Sequence, residues 1–221
     1  MARSRIKYFK SSDLFELPGE LGDVLIRLML AVNDISLAAD ANEFWAETTE
    51  QRRAYRKRRA RMYFIRLIMS HVHEGLIIIN EINRSATLRA AVDQCDARTR
   101  ENFGKLVAKL TSHERGALFR YRTKTTFHYD SEIPGEHLRK VIAQDRDATW
   151  SYSVGSTPLD WHFELGDAVI DRMVVRFVLG ADEPRSPARA KKIEEIATRL
   201  DQVGFMFTDF ATSFIERFSK G

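Results

Sequence analysis

Cysteine is nearly absent. Cys95 is the only one in 221 residues, which rules out an intrachain disulfide and a zinc site built on paired thiolates. Glycine-rich phosphate cradles are missing as well: the chain has neither a P-loop nor the turn of a dinucleotide-binding domain. No hydrophobic run crosses a bilayer cheaply. The most apolar windows, around Phe64–Ile79 and Ala168–Leu179, are broken by Arg66, His71 and Glu74, and by Asp171, Arg172 and Arg176. The segment Met1-Ala2-Arg3-Ser4-Arg5-Ile6-Lys7 has charge without an apolar stretch behind it, unlike a secretory signal. There is no internal repeat and no low-complexity tract. A cytoplasmic protein with no membrane partner is the expectation.

What remains is ordinary for a soluble globular chain, with 44% hydrophobic and 30% charged residues. That suits one domain over residues 1–221, large enough to bury a core. The charge is unevenly spread. Residues 1–10 carry Arg3, Arg5, Lys7 and Lys10 with no acid. Residues 52–61 carry Arg52, Arg53, Arg56, Lys57, Arg58, Arg59 and Arg61, again with none. The total is +4, so the rest of the chain is at about −7 by difference. A mildly acidic body with two basic patches suits contact with phosphate groups.

Periodicity predicts an all-α fold, a helical bundle with long antiparallel helices. Pro18-Gly19-Glu20 opens a helix whose buried face is Leu21, Val24, Leu25, Leu28, Val32 and Ile35, with Asn33 and Asp34 beside it. A long projecting helix is expected from about 41 to 83, either continuous or with one break. It starts acidic (Glu43, Glu47, Glu50), continues through the basic run and ends on Ile65, Met69, Val72, Leu76 and Ile79. His71 and His73 lie two apart there, the wrong spacing for a helical metal pair. Shorter helices follow over Thr87–Cys95 and Ala97–Leu110, and Thr111-Ser112-His113-Glu114 caps the next. Ile133-Pro134-Gly135 reads as a turn before a helix over Glu136–Arg146. Residues 149–157 alternate like a loop or a short β-hairpin. Thr157-Pro158-Leu159-Asp160 starts a helix with Trp161, Leu165, Val169, Val175 and Leu179 on one face. The last helix has Ile193, Ile196, Leu200, Val203, Phe207, Phe210 and Phe214 at alternating steps of three and four.

The chemistry concentrates in Tyr121-Arg122-Thr123-Lys124-Thr125-Thr126-Phe127-His128-Tyr129-Asp130. Arg122 offers a permanent planar cation suited to phosphate, and Lys124 adds a point charge. His128 moves protons near neutrality. Together they match one reaction that needs no metal or cofactor: cleavage of RNA by attack of its own 2′-hydroxyl. His128 would transfer the proton, and Arg122 and Lys124 would stabilise charge on the phosphorus oxygens. Residues six apart on an α-helix are separated by about 240°. Arg122 and His128 therefore converge only if the helix breaks among Thr123, Thr125 and Thr126, or if a second subunit supplies one of them.

This stretch resembles the arginine–histidine signature of HEPN domains: arginine, four to six residues, histidine, with five intervening here. The fuller form Arg-Asn-Lys-x-x-Phe-His-Tyr-Asp, as in HEPN-like proteins of abortive-infection type, matches at every specified position except Thr123, where asparagine is usual. The resemblance implies a helical bundle that dimerises to bring two motifs together. It also implies a metal-independent ribonuclease of antiphage or toxin–antitoxin systems, with an antitoxin or regulatory partner. Arg122 and His128 would be the catalytic pair, with Lys124 and Asp130 supporting.

Three readings stand side by side. The first is that ribonuclease, acting on RNA as a homodimer. The second is a non-catalytic helical module that binds RNA or a partner protein through Arg52, Arg53, Arg56, Lys57 and Arg59, with Arg122 merely pairing Asp130 or another acid. The third is an adaptor whose interface is the seam of Phe207, Phe210 and Phe214.

Overall fold

The computed structural model describes residues 11–47, 51–110, 112–126, 143, 149–154, 156, 162–175 and 187–219. It is an all-α structure. A short helix α1 (Ser11–Phe15) leads into two long helices, α2 (Gly19–Glu47) and α3 (Gln51–Arg84). Three shorter ones follow: α4 (Ala86–Asp93), α5 (Ala97–Lys109) and α6 (His113–Arg120). A π-helical turn, Tyr121–Thr126, extends α6. After the strands β1 (Tyr152–Ser153) and β2 (His162–Phe163) come α7 (Glu164–Met173) and the long α8 (Pro187–Phe218).

The span expected as one helix, continuous or broken, is divided differently: its start belongs to α2 and the rest is α3. Between Gly22 and Gly75 there is no glycine or proline, and the alanines Ala38, Ala39, Ala41 and Ala46 are the best helix formers available. Accordingly α2 runs on to Glu47 instead of a new helix starting at Ala41. Glu43 and Glu47 therefore lie at the carbonyl end of α2, not at the favourable amide end of the next helix. Glu50 lies outside the described residues, between Glu47 and the start of α3. The hairpin is antiparallel, pinned by Arg27 Nη1 donating to Glu81 Oε2 at 2.7 Å and by His71 Nδ1 at 3.5 Å from Asp34.

One hydrophobic cluster joins α2, α3, α4, α5, α6 and α8. Leu21, Val24, Leu25, Leu28 and Ile35 meet Met69, Val72, Leu76, Ile79 and Ile82, and Val32 packs at the edge. The segment Ala60–Arg84 is long and apolar enough to cross a membrane by length and composition alone. Part of its apolar content lies in this packing, where Val72, Leu76, Ile79 and Ile82 are closed from solvent, while Tyr63 and Ile77 are exposed. Gly75 permits a close approach: a Cβ there would run into the ring of Phe207. Along α8, Phe210 stands 5.4 Å from both Phe103 and Phe214, measured between ring centroids.

Phe207, Phe210 and Phe214 are wholly buried in this core. That overturns the adaptor reading, because the seam is already filled by the chain's own helices and offers nothing to a partner. Asp209, on the solvent side of α8, takes a bidentate pair from Arg98 (3.0 and 2.6 Å) and a bond from Asn102 (2.5 Å), fastening α5 to α8.

The turns between the short helices follow from their caps. Ser85 accepts from Leu88 N at 3.2 Å, Asp96 from Thr99 N at 2.9 Å, and Ser112 from Arg115 N at 3.4 Å. Each satisfies an amide that the first turn leaves unpaired, worth about 1 kcal/mol. Cys95 is buried against Ala91, and burial pushes its thiol up, away from the reactive thiolate.

One expectation near the middle changes. The strand in 149–157 pairs not within that window but with β2, Tyr152 opposite Phe163. The two rings stack at 6.2 Å, the aromatic cross-strand contact that selects this register. The expected helix start at Thr157–Asp160 lies outside the described residues; after β2, α7 runs from Glu164 with Met173 buried and Leu165 and Val169 half-buried, and just beyond it Val174 is buried and Val175 half-buried. Trp161, Leu179, the turn at Ile133-Pro134-Gly135 and all of the expected helix over Glu136–Arg146 except Ala143 lie outside the described residues.

Candidate functional site

Regular α-helix ends at Arg120, and three local features explain why. Thr123, Thr125 and Thr126 are poor helix formers with crowded β-carbons. The Thr123 hydroxyl donates to the Phe119 carbonyl at 2.8 Å, competing for an acceptor of the α-helical ladder. Tyr121, meanwhile, is held in the core, and burial pushes its phenol up to about 12. The result is the π-helical turn Tyr121–Thr126: the chain stays helical through the threonines, where a break was expected.

Next to buried Tyr121, Arg122 is half-exposed and crosses to α3. Its Nε donates to Glu74 Oε1, and both side chains keep a little over two-fifths of their surface in water. Beside Glu74, His73 points inward. It is 5% exposed, lies edge-on to Phe119 at 5.6 Å, and its Nδ1 has no hydrogen-bond partner among the described residues. Burial lowers its pKa; the Glu74 carboxylate opposes this, and the Arg122 and Arg115 cations add to it. Arg115 is itself anchored, with Nη1 donating to the Leu110 carbonyl at 2.7 Å.

The site therefore assembles His73 and Glu74 of α3, Arg115 and Phe119 of α6, and Arg122 of the π turn. A half-exposed guanidinium already holding an oxyanion suits a phosphate oxygen in the same place. His73, kept neutral, is equipped to accept or donate one hydrogen bond rather than to bring a second positive charge.

Of the residues expected from the sequence, Arg122 is paired to an acid, Glu74. The side chain of Lys124, and the whole of His128 and Asp130, lie outside the described residues. Arg52, Arg53, Arg56 and Arg59 lie on the first turns of α3, but their side chains are outside the described residues; Lys57 is half-buried. Counting along α3, the basic run begins 13 residues and ends 22 residues from Glu74. At 1.5 Å per residue that is about 20–33 Å of helix. The basic run and the Arg122 site are thus separate surfaces.

Glu74 and His73 were not legible as site residues. The one signal was that they are polar within a largely apolar stretch, a signal they share with Arg66, Ser70 and His71. Among the described residues no three His, Cys, Asp or Glu side chains gather as metal ligands. Compared with known proteins, the chain matches no family model, no curated protein and no solved structure.

Proposed function

We propose that the chain is a metal-independent endoribonuclease of HEPN type, which cleaves RNA by 2′-hydroxyl attack and acts as a homodimer in antiphage defence or as a toxin. In this reading Arg122 binds the scissile phosphate, His128 transfers the proton, and Lys124 supports the developing charge. The observation that carries it is the position of Arg122: half-exposed, on a π-helical turn, its guanidinium bound to a carboxylate oxygen in the manner it would bind a phosphate oxygen. An RNA phosphate would replace Glu74 there.

A second reading rests on the same pair. If Glu74 and Arg122 simply tie the π turn to α3, the protein is a non-catalytic helical module that binds RNA or a partner through Arg52, Arg53, Arg56, Lys57 and Arg59. The two separate in one assay. Purified protein is incubated with end-labelled single-stranded RNA in excess EDTA, beside Arg122→Ala and His128→Ala. Cleavage with 2′,3′-cyclic phosphate ends by the wild type alone supports the ribonuclease. Cleavage by all three sinks it. Absence of cleavage, with gel-shift binding lost only in Arg56→Ala/Arg59→Ala, favours the binding module.

A further inference from the structure

Helix α2 is apolar on two sides. One side is the core face already described. On the other, Ile26, Leu30, Leu37 and Phe44 are 46%, 58%, 71% and 57% exposed. At 100° per residue these four fall within an arc of about 40°, roughly opposite the buried face. They form a straight stripe about 27 Å long at 1.5 Å per residue, interrupted once by the exposed Asn33. Scattered single hydrophobics on a surface need no explanation, but an aligned row at helical spacing does.

The edges of the stripe carry one sign of charge. Asp23 and Asp34 flank one side, and Asp40, Glu43 and Glu47 the other, all exposed. Arg27 is the only basic residue of α2, and it is engaged by Glu81. Pairing α2 with a second copy of itself would set acid against acid along both edges. A helix with an apolar face and basic borders meets both the stripe and its rim.

We propose that the outer face of α2 is the docking site for a basic amphipathic helix of a partner protein. Apolar side chains of that helix cover Leu30, Leu37 and Phe44, while its lysines or arginines meet Asp40, Glu43 and Glu47. This surface lies on a different helix from Glu74 and Arg122 and does not depend on the ribonuclease reading.

The test uses the full chain and two fluorescent 21-residue helical peptides. One has leucines at heptad spacing bordered by lysines; the other has glutamates in place of the lysines. Anisotropy titrations should give saturable binding of the lysine peptide at least tenfold tighter than that of the glutamate peptide. Raising the salt should weaken it. Leu30→Glu/Leu37→Glu should loosen it at least tenfold, and the milder Leu30→Gln/Leu37→Gln should do the same in the event that the first variant fails to fold by circular dichroism. The proposal is overturned if the lysine peptide does not bind, if both peptides bind equally, or if the folded variants bind as the wild type does. It is also overturned if sedimentation finds a dimer of the chain that Leu37→Gln splits, since the occupant is then a second copy.

Discussion

The Glu74 carboxylate accepts a hydrogen bond from Arg122 Nε, joining residues 48 apart in sequence, one in the middle of α3 and the other on the π turn. Exposed pairs of this kind contribute little to stability, about 0–1 kcal/mol. Its consequence is occupancy: while Glu74 is in place, one face of the Arg122 guanidinium is taken.

Replacing Glu74 by Gln should therefore leave the melting temperature within a few degrees of wild type while tightening RNA binding severalfold. If the proposed activity is present, cleavage at subsaturating RNA should rise in parallel. A fall in both, measured by gel shift and by the EDTA cleavage assay, would mean that Glu74 positions Arg122 instead of competing for it.

His73 sets a pH dependence. Its folded pKa is lowered, chiefly by burial, so the unfolded chain binds the proton more readily. Stability from this group is complete above the unfolded value, about 6.5, and is lost as pH falls below it. Denaturant midpoints should drop from pH 7.5 to pH 5.5. His73→Gln should flatten that part of the profile, and an unchanged slope in the variant would assign the loss to other groups.

Gly75 has no room for a methyl group against Phe207. Gly75→Ala gains helix propensity of up to about 1 kcal/mol but overpacks the α3–α8 contact, at about 1–3 kcal/mol. The net should be a loss of stability. Combining it with Phe207→Leu should recover part of that loss in urea melts, because the ring is what the new Cβ meets.

Phe210→Ala should cost about 3–5 kcal/mol, the range for a fully buried aromatic ring. The variant should lose its cooperative thermal transition or melt far earlier while remaining at the oligomeric state of the wild type. Were the ring an intermolecular contact instead, sedimentation would show dissociation with the fold intact.

The helices were largely legible because their apolar residues recur at three and four. The α8 series from Ile193 to Phe214 and the Ile65–Ile79 series both became buried faces, and Ser112 capped α6 as its position before His113 and Glu114 suggests. Boundaries were less legible where the chain has no glycine or proline to mark them, as between Ala41 and Gln51. Strand pairing between Tyr152 and Phe163 needs a contact across ten residues of sequence, which local alternation does not encode. At the site, Arg122 was identifiable from its neighbours, whereas Glu74 was not. An ion pair between separate helices leaves no periodic trace, and only the packing of the π turn on α3 brings it about.

The turn at Tyr121–Thr126 also affects how this chain tolerates length change. A π turn accommodates one residue more than an α-helix would hold over the same rise, so it acts as a built-in slack of a single position. Deleting one threonine from it would let α6 continue regularly. The helix would keep its rise and nearly its rotation, so Arg122 would keep its place against α3. A change of length by one residue is therefore absorbed at Tyr121–Thr126 without moving the packing of Arg122 on α3.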